Sequence, residues 1–246
     1  MQALESWTHT ELTFDGETRE VWRKGSGPGV IVIHEIPGID DALVRFAEEV
    51  VERGHTVLLP RLFGTPGAGF TFGNVVGDIA QFCVRREFTL FARGKTSPIA
   101  GWLRALARQL HDETGGDGVG VVGMCFTGGF ALAMMADAPV IAPVLAEPSL
   151  PFPLGAKRGA DLGLSPADLE AVTHKAAAGC EVLGLRYRTD AATGTRFDTL
   201  ARLLGERFIA VEFEGKGHSV LTAHRQQEGV DRVLDFLDEK LAPQTA

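Results

Sequence analysis

Cysteine is scarce in this chain: Cys83, Cys125 and Cys180 are the only three in 246 residues. Three thiols build no disulfide framework, and the odd count leaves at least one unpaired. The start, Met1-Gln2-Ala3-Leu4-Glu5-Ser6-Trp7, has neither the basic opening nor the apolar stretch of an export signal. The thiols therefore read as reduced, in a cytoplasmic protein. Basic charge is also short, with 24 Lys+Arg against 32 Asp+Glu and a net charge of −8. That excludes a nucleic-acid or anionic-membrane binder, because phosphate contacts need basic surface. No run approaches the roughly 18 apolar residues of a spanning helix. C-x-x-C and H-E-x-x-H spacings are missing, so no metal and no cofactor is expected. Gly25-Ser26-Gly27-Pro28-Gly29 lacks the lysine of a phosphate loop and precedes a strand, which makes it a turn. With no repeat, low-complexity tract or linker, residues 1–246 read as one domain.

What is present is a regular alternation. Glu11–Phe14 and Arg19–Trp22, split by Asp15-Gly16, fit an antiparallel hairpin at a sheet edge. Gly29–Ile33 is then a continuous β-branched run of the kind buried on both faces. Asp41–Arg53 is an amphipathic helix ended by Gly54, and Thr56–Pro60 is another buried strand. Helices follow at Ile99–His111, Phe126–Ala136, Thr195–Leu204 and Ala223–Leu241. Ser165-Pro166 marks one further helix start, with serine as cap. Strands are expected at Gly118–Val122, Val140–Val144, Val182–Arg186 and Phe208–Phe213. This order predicts an α/β fold with a mostly parallel sheet, helices on both faces and an N-terminal antiparallel hairpin. In such sheets chemistry gathers beyond the carboxyl ends of the strands.

Those ends carry a pattern. The strand ending at Val122 runs into Gly123-Met124-Cys125-Phe126-Thr127-Gly128-Gly129 and then a helix, the form of a nucleophile elbow. Small neighbours allow the sharp turn, and the thiol then stands at the amino end of a helix, where dipole and backbone N–H groups favour a thiolate. The Phe126 N–H can face a developing oxyanion. A cysteine nucleophile needs a base and the base an orienting acid. Asp190 follows one strand end and His218, framed by Gly217 and Ser219, follows the last, in the order nucleophile, acid, histidine. Of the seven histidines, His34 is the nearest competitor, but its place in strand order is wrong for the base. The loop His34-Glu35-Ile36-Pro37-Gly38 follows the first buried strand and supplies Ile36 as the second oxyanion amide, with Glu35 at the same rim. Cys83 and Cys180 read as packing. Residues 64–77 and 149–163 are expected to wall a pocket, with Phe63, Phe70, Phe72 and Phe152 as candidate apolar lining.

On His34-Glu35-Ile36-Pro37-Gly38, the Cys125 elbow, Asp190 and Gly217-His218-Ser219, the chain resembles the dienelactone hydrolase family over about Gly29 to Leu241. The resemblance implies an α/β-hydrolase fold with a Cys125–His218–Asp190 triad. It also implies a glutamate, Glu35, that interacts with the resting thiol and releases it as thiolate when substrate arrives. The family's type reaction opens an enol-lactone whose carboxylate is bound by arginines. Three departures bear on this: Thr127 replaces the usual glycine of the elbow, the elbow is one residue longer before its glycine pair than the family's commonest form, and Thr222 stands where the family has one of its arginines. Arg85, Arg86 and Arg225 are the candidates left to bind a substrate carboxylate. The expected activity is hydrolysis of a small-molecule ester or lactone, by a monomer or small homo-oligomer. The alternatives are acyl transfer or lactone chemistry in a biosynthetic pathway, and a non-catalytic ligand-binding protein on the same fold.

Overall fold

The computed structural model describes residues 4–67 and 92–242. Its first element is a hairpin of β1 (Thr8–Phe14) and β2 (Glu17–Lys24), paired antiparallel so that Phe14 faces Glu17. Asp15 and Gly16 both take positive φ, 51° and 81°, as a two-residue turn matched to the strand twist requires. Beyond it come β3 (Gly29–Ile33), β4 (Thr56–Pro60), β5 (Val119–Met124), β6 (Val140–Ala146), β7 (Val182–Tyr187) and β8 (Phe208–Phe213). The sheet order is β1-β2-β4-β3-β5-β6-β7-β8, parallel from β4 onward and antiparallel at the hairpin edge. This is the α/β architecture expected from the alternation.

The helices divide between the two faces. α1 (Asp41–Glu52) and the last helix, α7 (Gln227–Leu241), cover one. α2 (Ile99–Thr114), α3 (Phe130–Met135), α5 (Pro166–Ala177) and α6 (Arg196–Leu204) cover the other, with α4 (Ala156–Gly159) a short turn between β6 and α5. Residues of β3 alternate accordingly: Val30 and Val32 join the α1/α7 core, Ile31 and Ile33 the opposite one, all fully buried. Ser165 caps α5, its hydroxyl accepting from the Asp168 N–H. Among the described residues, no helix is long and apolar enough to cross a membrane.

Two helices differ most from their sequence boundaries, and the helix expected at Ile99–His111 runs on to Thr114. The expected helix Phe126–Ala136 is a tight 3₁₀ turn, Cys125–Thr127, followed by the shorter α3. The Thr127 hydroxyl bonds back to Met124 and closes that turn. The helix expected from Ala223 begins only at Gln227. Residues before it form a loop closed by His224 N–H to Ser219 O, 2.9 Å, and Gln226 N–H to Val220 O, 2.8 Å.

All the parallel strands point their carboxyl ends to one edge, so the segments following β3, β5, β6, β7 and β8 meet there. A buried cation ties two of these segments together. Arg196, 1% exposed, donates to the carbonyls of Ala192 (3.2 Å), Thr193 (2.8 Å), Asp161 (2.9 Å), Arg158 (3.1 Å) and Pro151. Burial lowers its pKa to about 10, still leaving it charged at neutral pH. Arg196→Met should leave these carbonyls unpaired and cost on the order of 3 kcal/mol. For a chain of this size that is a fall in Tm of roughly 6–12 °C by calorimetry. An unchanged Tm would show that the loops hold themselves.

Candidate active site

Cys125 follows β5 at φ 51°, the left-handed region that a non-glycine residue enters only when its surroundings enforce it. Its neighbours show how. A Cβ on Gly123 would lie 2.3 Å from the Thr127 carbonyl oxygen, and one on Gly128 would lie 2.7 Å from Pro148 Cα. Both positions therefore require glycine. The Cys125 carbonyl accepts from the N–H groups of Gly128 (3.1 Å) and Ser149 (3.0 Å). Thr127, in place of the usual elbow glycine, adds a clasp. Its hydroxyl accepts from the Met124 N–H at 3.0 Å and faces the carbonyls of Met124 (3.0 Å) and Ile33 (3.1 Å), linking the turn to β3.

The thiol is nearly buried, 9% exposed, with Sγ 3.4 Å from Ser149 Oγ. Burial pushes its pKa up, and the negative charge of Glu35 adds to that; hydrogen bonding and charge from His218 oppose it. His218 Nδ1 donates to Asp190 Oδ2 at 2.7 Å, which leaves Nε2 for the thiol. Burial alone would lower the imidazole. Hydrogen bonding with Asp190 and Cys125 outweighs it and holds His218 above its ordinary value. Asp190 is itself fixed: Oδ1 accepts from the Ala192 N–H (3.0 Å) and Oδ2 from the Thr193 hydroxyl (2.8 Å). Against burial, the bonds from His218, Thr193 and Ala192 keep its carboxyl below the usual range.

Glu35 is buried beside them. Its Oε2 accepts from Ser219 Oγ at 2.6 Å and its Oε1 from the Thr222 hydroxyl. Burial raises it, and those two hydroxyls and His218 only partly reverse the shift. One donor atom each from Glu35, Cys125 and His218 lie within 4.8 Å of one another. A thiolate, an imidazole and a carboxylate this close are also a donor set that a zinc ion could use. Among the described residues it is the only such group. His34 is the neutral core histidine of this loop. Burial lowers it to about 4, its Nε2 accepts from the Leu62 N–H (3.0 Å), and its Nδ1 bonds the Glu35 carbonyl (3.1 Å).

The structure thus gathers Cys125, His218, Asp190 and Glu35 and brings Ile36 and Phe126 alongside through the chain. Arg225 is engaged elsewhere: its guanidinium donates to both oxygens of Glu49 on α1, at 2.7 and 3.0 Å, and to Gln227. That ion pair commits it to joining α1 to the segment before α7. Arg85, Arg86, Cys83, Phe70 and Phe72 lie outside the described residues. Phe152 stacks edge-on against Phe126 at 5.2 Å, and Phe63 against His34 at 4.2 Å. Cys180 is half-buried with Sγ 3.5 Å from the Ile141 carbonyl. One residue at this edge escaped the sequence reading. Glu147, directly after β6, is fully buried at φ 36°. Reading β6 as ending at Val144 hid it; its true position is the first residue beyond a strand, as for Cys125.

An eight-stranded, mostly parallel sheet with these residues at its carboxyl edge defines an α/β-hydrolase. The profile of the dienelactone hydrolase family matches residues 18–153, and the chain belongs to that family. The matched span holds Glu35 and Cys125; Asp190 and His218 lie beyond it. Solved structures with the same fold include a dienelactone hydrolase-type protein from Klebsiella pneumoniae subsp. pneumoniae MGH 78578 (16% identity, TM-score 0.66, 97% of this chain and 98% of that one). The α/β hydrolase GrgF from Penicillium sp. sh18 gives 17% identity and TM-score 0.66, covering 96% and 99%. A dienelactone hydrolase-like promiscuous phosphotriesterase, P91, from metagenomic libraries gives 17% identity and TM-score 0.61, covering 96% and 98%. A search of curated proteins finds no match.

Thr127→Val keeps the shape of the clasp but removes its hydroxyl. The Met124 N–H then loses its acceptor in a buried turn, so stability should fall by about 1–3 kcal/mol in urea unfolding. Wild-type stability in this variant would mean that the glycines alone hold the elbow.

Proposed function

We propose that this protein hydrolyses an ester or lactone through an acyl-cysteine intermediate. The observation that carries the reading is a single imidazole shared between a thiol on a left-handed turn and a hydrogen-bonded carboxylate. Substrate binding draws the Cys125 proton to His218 Nε2, and Sγ attacks the carbonyl carbon. The oxyanion is received by the Phe126 and Ile36 N–H groups. Collapse of this intermediate breaks the C–O bond, and His218 returns the proton to the departing alkoxide. In a lactone that hydroxyl stays tethered to the acyl group. Water then attacks the thioester with His218 as base, releasing the carboxylic acid and restoring the thiol. Asp190 fixes the imidazole tautomer and balances the imidazolium.

Glu35 governs when the thiol ionises. Its negative charge beside Sγ disfavours the thiolate in the resting enzyme, and the clamp of Ser219 and Thr222 sets its position. Thr222 occupies a place where the family carries an arginine and serves Glu35 instead, while Arg225 is bound to Glu49. Binding of a substrate carboxylate therefore falls to Arg85 and Arg86. Arg85→Ala and Arg86→Ala, assayed with matched lactones with and without a carboxylate, test that assignment. Loss confined to the carboxylated substrates is expected in at least one variant.

Cys125→Ala should lower kcat/KM by several orders of magnitude on a panel of lactones, aryl esters and thioesters, because the unit of nucleophile and base fails together. Mass spectrometry of the quenched wild-type enzyme should find acyl adduct on Cys125. Wild-type turnover in Cys125→Ala would end the acyl-cysteine reading. In Glu35→Gln the negative charge beside the thiol is gone, so the thiol pKa falls. The pH midpoint of Cys125 alkylation by iodoacetamide should move to lower pH, with faster labelling at neutrality. A midpoint that stays put or rises would remove Glu35 from this role.

A further inference from the structure

Glu35, Cys125 and His218 face one another in a way that the hydrolytic cycle does not use. One donor atom from each lies within 4.8 Å of the other two. Zinc bonds to nitrogen, oxygen and sulfur run about 2.1–2.3 Å, so a tetrahedral ion holds its ligand atoms roughly 3.5 Å apart. Each donor therefore has to shift by less than about 1 Å to reach a shared ion. Each is also held by a neighbour that leaves a lone pair over. His218 gives its Nδ1 hydrogen to Asp190 Oδ2 at 2.7 Å, which leaves Nε2 as the ligand nitrogen. A carboxylate behind the ring is the usual support of a zinc-bound histidine. Each Glu35 oxygen accepts one hydroxyl, from Ser219 at 2.6 Å and from Thr222, and a carboxylate oxygen keeps a second lone pair. Sγ has the Ser149 hydroxyl at 3.4 Å. Charge fits as well. A thiolate and a carboxylate side by side repel, and a divalent cation between them cancels both. Sulfur and imidazole nitrogen suit zinc, whereas magnesium and calcium take oxygen ligands. The three donors follow β3, β5 and β8, so no short spacing of the C-x-x-C or H-E-x-x-H kind announces them in the sequence.

Building on the acyl-cysteine reading, we propose that Glu35, Cys125 and His218 form an inhibitory zinc site within the reaction centre. Zn²⁺ displaces the thiol proton, which passes to solvent. Bonds form from the ion to Sγ, to His218 Nε2 and to one Glu35 carboxylate oxygen, and nothing is oxidised or reduced. The ion then occupies both the sulfur lone pair that attacks the carbonyl and the nitrogen lone pair that takes the thiol proton. Nucleophile and base are lost together, and a chelator restores them. Glu35 is what distinguishes this site from a bare thiol–imidazole pair, because a third anchor on a separate segment turns a two-point contact into a chelate. The fourth position is left to water.

The metal alone is the probe. The full chain, cleared of metal with EDTA, is titrated with zinc chloride by calorimetry and assayed on an ester or lactone that the wild type cleaves. One zinc per chain is expected at this site, with hydrolysis falling as it binds and returning on EDTA; magnesium chloride should do neither. One measurement needs no variant: zinc should shield Cys125 from iodoacetamide, read by mass spectrometry, while Cys180 labels at an unchanged rate. Cys125→Ser and His218→Ala should each weaken zinc binding by at least about tenfold, and Cys180→Ser should bind as wild type does. Glu35→Gln separates a ligand from a mere neighbour, because its two effects oppose. A thiol relieved of an adjacent charge would take zinc more tightly, whereas loss of a ligand weakens binding by at least about tenfold; weakening is expected. Zinc that binds Glu35→Gln as tightly as wild type, leaves Cys125 unshielded or speeds hydrolysis would overturn the proposal. If Cys125→Ala is inactive in the metal-free assay, the acyl-cysteine reading survives any of these outcomes. If Cys125→Ala is active while zinc still shields Cys125 in the wild type and binds Glu35→Gln weakly, the metal site stands and the reading of the reaction fails.

Discussion

Cys125 holds a left-handed backbone that costs an L-residue roughly 1–2 kcal/mol, and the site is arranged around meeting that cost. Gly123 and Gly128 have no room for a Cβ, so the chain can fold tightly enough to lift the thiol off the end of β5. The Thr127 clasp ties the turn to β3, the strand that leads into Glu35. Ser149 then binds the Cys125 carbonyl through its N–H and approaches Sγ with its hydroxyl. Relaxing the turn would therefore shift the thiol relative to the imidazole and the Glu35 loop together.

Three carboxyl groups crowd one imidazole, and hydrogen bonding sorts them. Asp190 receives an imidazole N–H, a backbone N–H and a hydroxyl, and it is pulled down. Glu35 receives two hydroxyls, and burial still prevails. Glu147 receives one backbone N–H and is pushed furthest up. Asp190 is also the least buried of the three, so lighter burial and more numerous donors both favour its ionised form. Asp190, the one acid hydrogen-bonded to the imidazole, is also the one whose carboxyl is pulled down.

The family relation fixes the class of reaction more firmly than the substrate. The Thr222 hydroxyl turns inward to Glu35, while Arg225 closes an ion pair across to α1. Both side chains now support the protein's own architecture. Neither side chain is left free to meet a substrate carboxylate.

Much of this was legible in the residues themselves. Continuous β-branched runs identify strands covered on both faces, and the Asp15-Gly16 pair dictates its hairpin turn, because these signals are local. Chain order alone brought Cys125, Asp190 and His218 under suspicion, since parallel strands send their carboxyl ends to one edge. The side chains' partners were not legible. Glu147 differs from an ordinary loop acid only in being buried against Val220, a residue 73 positions away, and no periodicity records that. The role of Arg225 likewise turned on Glu49, 176 positions distant. Composition and spacing determined the fold and named the candidate groups at its carboxyl edge. Tertiary packing decided which charges are neutralised, which hydroxyl serves which acid and how the imidazole is held, because those depend on contacts between segments that only folding brings together.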